Sequence, residues 1–95
     1  MRKAVIRHSG LEPGQIVIST AGHDRGKFYI VIRTEADGAW LADGRIRTID
    51  RPKFKKRKHI QKTLTVFHGL PDADGGMALT DASIFKAIKA YASKL

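Results

Sequence analysis

The sequence predicts a mainly β domain, a small and strongly bent barrel of five short strands followed by one C-terminal helix. Three observations predict it: short runs rich in Ile, Val, Phe and Tyr, glycine-containing turns between them, and one stretch of helical periodicity near the C terminus. A chain of 95 residues has room for one hydrophobic core and none for a second. Short strands joined by tight turns fit a small barrel.

The first two strands are predicted at residues 15–20 and 27–34, where β-branched and aromatic side chains are concentrated. The loop between them begins at Gly22 and ends at Gly26, which predicts an antiparallel hairpin. Glycine tolerates a positive φ, and we expect one at Gly26, where the chain leaves the loop. The hairpin is therefore the start of the predicted barrel.

The third and fourth strands are each expected to follow an Asp-Gly turn. Asp37-Gly38 precedes a strand predicted at residues 39–42, and Asp43-Gly44 precedes one predicted at residues 45–49. Trp40 lies on the third strand, and we interpret it as core or wall packing rather than a platform for a base, because large aromatic side chains dominate small cores. The pattern indicates a meander of short strands.

The closing strand is predicted at residues 60–67, where apolar and polar side chains partly alternate. Ile60, Leu64 and Val66 are expected to face the core. Lys62 breaks the alternation, so we expect it near a barrel rim.

A helix is predicted after a loop rich in Gly, Pro and Asp. Thr80 or Asp81 can cap it, and its apolar stripe is expected to pack on the barrel. That stripe comprises Ile84, Ile88, Tyr91 and Leu95. The predicted organisation is an N-terminal extension at residues 1–13, the barrel at 14–68, the loop at 69–79 and the helix at 80–95.

The charge of the chain favours a polyanionic partner. There are 18 Lys and Arg against 9 Asp and Glu, a formal net charge of +9. The absence of cysteine excludes disulfides and thiolate chemistry and is compatible with a cytoplasmic protein. No apolar run has the length of a signal-peptide core or a membrane span, so we expect no membrane association.

The densest positive charge lies in residues 51–62, with six Lys or Arg in the first nine positions and no acid. Such a run is relieved of its self-repulsion when phosphates replace solvent counterions. An anionic partner is therefore the simplest interpretation, and a merely solvated loop is the alternative. Phe54, within the run, either stacks on an unpaired base or anchors the segment to the barrel.

Residues 22–27 form a second candidate site, because the two glycines allow close backbone approach to an anion beside Arg25 and Lys27. The nucleotide-hydrolase P-loop is excluded, since only three residues separate the glycines and Phe28 follows the lysine. Contact with phosphate and a plain hairpin turn remain the two interpretations.

Metal and catalytic sites are not predicted. His8, His23, His59 and His68 lack ligand spacing, and Asp72-Ala73-Asp74-Gly75 has no later Glu to complete a calcium loop. Ser9 beside His8 and Ser19 near His23 and Asp24 do not form a triad pattern. We therefore expect no enzyme activity, no cofactor and no metal.

Residues 14–31, Gly-Gln-Ile-Val-Ile-Ser-Thr-Ala-Gly-His-Asp-Arg-Gly-Lys-Phe-Tyr-Ile-Val, resemble the KOW motif of ribosomal proteins and of NusG-type elongation factors. With the Leu-Ala-Asp-Gly stretch at 41–44 and the basic segment, residues 14–63 resemble the L-fourteen-e family of large-subunit ribosomal proteins and its short bacterial relatives. The resemblance implies an SH3-like barrel that binds ribosomal RNA, as a ribosomal or ribosome-associated protein.

The expected RNA-binding residues combine the two candidate segments with basic residues of the fourth strand. They are His23, Arg25, Gly26, Lys27, Arg45, Arg47, Arg51, Lys53, Phe54, Lys55, Lys56, Arg57, Lys58 and Lys62. Ribosomal proteins are possible further partners, and a monomer is favoured. The alternative is a protein-interaction adaptor of the transcription or translation machinery, docking as NusG-type barrels do, with the C-terminal helix as the partner surface.

Overall fold

A computed structural model describes residues 10–95 of the chain, so most of the predicted N-terminal extension, including His8 and Ser9, lies outside the described residues. The elements follow one another in a simple order. Five strands build the main sheet: β1 (Gln15–Ser19), β2 (Phe28–Glu35), β3 (Gly38–Ala42), β4 (Lys53–Lys56) and β5 (Ile60–Val66). A 3-10 turn (Arg57–His59) joins β4 to β5, and a small hairpin, β6 (Leu70–Pro71) and β7 (Met77–Ala78), precedes α1 (Asp81–Ala92).

The main sheet is antiparallel throughout, with the order β4-β3-β2-β1-β5. The prediction of a mainly β fold with five antiparallel strands and a C-terminal helix is confirmed. The sheet is not closed as a barrel: β4 and β5 are its two edges in the part of the chain that is described. The hairpin of β6 and β7 lies in the segment expected to be a loop.

The predicted strand at residues 45–49 is wrong. The Asp43 carboxylate Oδ1 accepts hydrogen bonds from the backbone N–H groups of Arg45 and Arg47, both at 2.9 Å, and folds the chain into a compact turn. The fourth strand is instead Lys53–Lys56, inside the basic segment, and it places Phe54 opposite Trp40 of β3. A segment expected to be loop therefore completes the sheet.

The buried side chains form two clusters, one on each face of the sheet, within a single domain. On one face Val17, Tyr29, Val31, Leu41 and Ile60 pack together, all at most 4% exposed. On the other face the helix covers the sheet, with Ile84 of α1 against Ile16, Ile30 and Ala42. Strand residues that alternate between the faces thus contribute to both cores.

The helix begins with a capping box, in which the Thr80 side chain accepts from the Ser83 backbone N–H and the Ser83 side chain accepts from that of Thr80. Ile84 is fully buried, and Tyr91 meets Phe28 edge-on with 5.8 Å between ring centroids. Leu95 lies beyond the end of the helix and is 77% exposed, so its predicted place in the buried stripe is wrong.

The inward position predicted for Leu64 is also wrong, because its side chain is 96% exposed. The pairing of β1 with β5 is irregular: Gln15 lies opposite Val66, whereas Val17 lies opposite Lys62. Within this bulge the partly buried Thr63 hydroxyl donates to the Ile16 carbonyl at 2.7 Å. The extra residues on β5 leave Leu64 in solvent.

Candidate nucleic-acid interface

Three tertiary contacts join the basic segments to one another. The Asp24 carboxylate joins the β1–β2 loop to β4, and the Thr20 backbone N–H donates to the His59 carbonyl at 2.9 Å. The Lys27 ammonium lies 3.4 Å from the Asp43 carboxylate and joins the loop to the following turn. We call residues 20–27, 43–47 and 51–62 the basic loop face.

Asp24 is the centre of this arrangement, and its side chain is only 9% exposed. Its two carboxylate oxygens accept hydrogen bonds from the Ser19 hydroxyl at 2.7 Å, the Lys53 ammonium at 2.8 Å, the Tyr29 hydroxyl at 2.9 Å and the Lys55 ammonium at 3.1 Å. Two positive charges thus face one carboxylate. Ion pairs enclosed to this degree stay intact only when their remaining polar atoms are also hydrogen-bonded.

The electrostatics of Asp24 favour the charged form. Burial alone would raise the pKa of its carboxyl. The hydrogen bonds from Lys53, Ser19, Tyr29 and Lys55 lower the pKa by more than burial raises it, and they hold it well below its usual range. Burial and the hydrogen bond to Asp24 raise the pKa of Tyr29 above its usual range. The carboxylate is therefore ionised at neutral pH while the phenol stays protonated.

Two of the predicted RNA-binding residues are used inside the protein. The Lys55 side chain is 9% exposed, and its ammonium also donates to the Ala21 carbonyl at 2.9 Å. The Lys53 side chain is 30% exposed and is paired with the same carboxylate. We therefore assign Lys53 and Lys55 to holding the loop against β4, a role that sequence reasoning missed.

The glycine prediction is confirmed, since Gly22 has a φ of 88° and Gly26 one of 89°. The backbone N–H groups of the loop nevertheless donate to carbonyls of the loop and of β1. The backbone N–H groups of Arg25, Gly26 and Lys27 donate to the carbonyls of Gly22, Ser19 and Asp24, at 3.2, 2.8 and 2.9 Å. These three amides cannot cradle a phosphate as the loop stands, so anion contact here depends on side chains.

The remaining cations of the face differ in how far contacts within the protein engage them. Arg25, Arg51, Lys56, Lys58 and Lys62 are exposed and form no ion pair among residues 10–95. The others are engaged in part: Lys27 faces Asp43, the Arg57 guanidinium donates to the Ile60 carbonyl at 2.6 Å, and Arg45 lies over the Phe85 ring. Arg45 and Arg47 are exposed on the turn and likewise form no ion pair among residues 10–95, and His23 is exposed on the loop.

Phe54 packs against Trp40, with 5.3 Å between ring centroids, and a side chain at Gly38 would collide with the Phe54 ring. This geometry corresponds to the anchoring interpretation of Phe54. Trp40 in turn donates from Nε1 to the Glu35 carboxylate at 2.7 Å and lies under the Arg33 guanidinium, 4.8 Å from it. Both rings are half-buried and belong to the wall of the sheet.

The turn at residues 43–47 is fixed by Asp43. Burial would raise the pKa of this carboxyl, but the backbone N–H groups of Arg45 and Arg47, together with Lys27, lower it below its ordinary value. The turn is also attached to the helix, because the Ile49 backbone N–H donates to the Asp81 carboxylate at 2.9 Å. Arg45 and Arg47 are therefore presented on a rigid turn.

Within residues 10–95 no cluster of three or more His, Asp or Glu side chains has the arrangement of a metal site. None of the helices in that range is both long and apolar enough to cross a membrane.

Part of what the sequence reasoning missed had a signal. Lys53 and Lys55 are separated by two positions, so they share a face once residues 53–56 are recognised as a strand. Asp24 is the only acid in a basic loop, which marks it as a partner for those lysines. No sequence signal indicated that the loop and β4 meet.

The sequence was also compared with known proteins. It matches no model of a protein family, and a search of curated proteins gives no match either.

Proposed function

We propose that this protein is a non-enzymatic RNA-binding module, a cytoplasmic ribosomal or ribosome-associated protein that contacts ribosomal RNA through the basic loop face. The observation that carries the proposal is that most cations of the basic loop face, Arg25, Arg51, Lys56, Lys58 and Lys62 among them, are exposed and have no ion-pair partner in the described chain. Unpaired cations on one surface attract a polyanion because binding releases its condensed counterions.

Among polyanions, RNA is favoured as the partner by the resemblance to KOW proteins and the L-fourteen-e family. The resemblance is supported by the positive φ of both loop glycines and by the antiparallel order of the five strands. We further propose that the sheet is of the SH3-like type. The 3-10 turn connects the two edge strands, β4 and β5. At its start the Arg57 backbone N–H donates to the Asp37 carbonyl at 2.7 Å, and at its end the His59 carbonyl accepts from the Thr20 backbone N–H.

The proposal assigns the direct phosphate contacts to Arg25, Arg51, Lys56, Lys58 and Lys62. Arg45, Arg47, Lys27, Arg57 and His23 lie at the borders of this set, and Phe54, Lys53 and Lys55 support it from within. Gly26 sets the path of the loop rather than touching RNA.

Crosslinking of the protein to RNA in cells, followed by sequencing of the attached RNA, tests the assignment. We expect ribosomal RNA to be enriched, and enrichment to be lost when Lys56, Lys58 and Lys62 are all replaced by Ala. Recovery of no RNA above the level of that triple variant would contradict the proposal.

One observation favours the adaptor alternative. Leu64 is 96% exposed on β5, an edge strand that a partner segment could extend by strand addition. The helix is the weaker candidate surface, since its apolar stripe already covers the sheet through Ile84. Purification of partners with the wild-type protein and a Leu64→Thr variant tests this: loss of one defined protein in the variant would support an adaptor, and identical partner sets would count against it.

A further inference from the structure

An open cleft of about 460 Å³ lies beside the basic loop face, between the start of β2, the turn at residues 43–47 and the helix. Its lining is mostly apolar, from Phe28, Ile46, Phe85 and Ile88. Ile46 lies in the turn with 76% of its surface exposed and forms one side of the cleft. The cleft therefore offers an apolar surface at the border of a cationic one.

The walls of the cleft are fixed by contacts that involve no ligand. Gly44, with a φ of 83°, lies so close to the Asp81 carbonyl that any side chain there would collide with the helix. The hydrogen bond from the Ile49 backbone N–H to Asp81 holds the other end of the turn. A preformed site loses little conformational entropy on binding.

The charges at the mouth specify the kind of occupant. Arg45 lies over the Phe85 ring, 4.6 Å from its centroid, and the Lys27 side chain is 43% exposed. Among the lining residues within 10–95, Asp43 is the one carboxylate, and it already accepts from two backbone N–H groups and from Lys27. The mouth is consequently cationic, which complements a flat apolar group attached to an anion.

We propose that this cleft receives an unpaired base of the bound RNA. The base lies against Ile46 and Phe85 while its phosphate faces Arg45 and Lys27. Aromatic and guanidinium surfaces accept bases that are splayed out of loops and single strands. This inference rests on the proposed RNA-binding function. It adds a contact that depends on the presence of a base, whereas the phosphate contacts do not depend on one.

The test compares two probes of equal charge, a twelve-nucleotide oligouridylate and an abasic oligomer of the same length. The wild-type protein is expected to bind the oligouridylate about tenfold more tightly, a preference within the range measured for stacked bases. An Ile46→Ser variant should lose most of that preference and keep the affinity for the abasic oligomer. Leu64→Ser is the matched control, because Leu64 is equally apolar, is exposed and does not line the cleft.

Each outcome separates the two proposals. Equal affinity of the wild-type protein for both oligomers, or an unchanged preference in Ile46→Ser, would overturn the base site. The phosphate-binding function would then stand, and the cleft would be left for an apolar side chain of a protein partner. Failure of both oligomers and of structured RNA to bind would overturn both proposals.

Discussion

Replacement of Asp24 by Asn should destabilise the protein strongly without removing a single apolar contact. The carboxylate accepts four hydrogen bonds, two of them from ammonium groups, and Asn would turn an amide N–H₂ toward at least one of those ammoniums. Lys55, at 9% exposure, would keep its charge and its bond to the Ala21 carbonyl but would have no carboxylate as a partner. An uncompensated buried charge is the physical cause of the expected loss.

The magnitude follows from the burial of the two lysines. Removing one member of a buried ion pair costs about 3–5 kcal/mol. Lys53 is 30% exposed and can turn to solvent, and Lys55 retains one acceptor, so we expect a loss of about 2–4 kcal/mol. A domain of this size has a free energy of unfolding of about 5–14 kcal/mol, so the variant should lose a large part of it.

Urea unfolding followed by circular dichroism at pH 7 measures the effect. Asp50→Asn is the matched control, because Asp50 is exposed and the same change of charge there should alter the free energy by less than about 0.5 kcal/mol. Adding Lys55→Met to Asp24→Asn should restore part of the stability, since it removes the unpaired charge. A loss below about 1 kcal/mol in Asp24→Asn would refute the reasoning.

The same network predicts how stability depends on acid. The pKa of Asp24 is lowered in the folded protein, so its contribution is complete above the unfolded value of about 4 and is lost as the pH falls below it. The wild-type protein should therefore lose stability between about pH 4 and pH 2 more steeply than Asp24→Asn does. Parallel acid titrations of the two proteins would contradict the assignment.

Three further predictions follow from the packing. Tyr29→Phe should cost about 1–2 kcal/mol in urea unfolding and reduce the loss of stability above about pH 10, because the raised pKa of Tyr29 means that stability falls as the unfolded phenol ionises; an unchanged alkaline profile would contradict this. Gly44→Ala should lower Tm more than Gly26→Ala, since both glycines have a positive φ but only Gly44 lies against the Asp81 carbonyl, and equal losses would show that the turn moves away from the helix. Ile84→Ala should cost about 2–5 kcal/mol, and deletion of residues 80–95 should expose Ile16 and Ile30 and lower Tm further; an unchanged Tm after deletion would favour a helix reserved for a partner.

The elements that the sequence predicts well are those whose signals are local. The β1–β2 hairpin follows from two apolar runs and two glycines. Thr80 caps the helix, which begins at Asp81, as the sequence indicates. The strand expected at residues 45–49 fails because the Asp43 side chain satisfies two backbone N–H groups and stabilises a turn. The inward position predicted for Leu64 is wrong because it assumes regular alternation along β5, and the bulge that interrupts this alternation arises from the pairing with β1.

The sequence predicts which segments of the site carry positive charge, but it predicts only part of how those segments are arranged. Composition alone located the basic segments, but 31 positions separate Lys55 from Asp24, and no local pattern reports a contact at that distance. Local charge density therefore could not distinguish Lys55, which is buried, from Lys56, which is exposed. The cleft beside Phe85 depends on the helix lying against the turn, which is again a tertiary contact.

The salt dependence of RNA binding tests the central claim most directly. The dissociation constant for a structured RNA, measured between 50 and 400 mM salt, should give a log–log slope on the order of −3 to −5, as expected when about five phosphates are neutralised. Replacement of Lys56, Lys58 and Lys62 by Ala should reduce that slope by about 2 to 3 and leave the free energy of unfolding unchanged, because these side chains are exposed and unpaired. No binding, a flat slope, or an unaltered slope in the triple variant would contradict RNA recognition by the basic loop face.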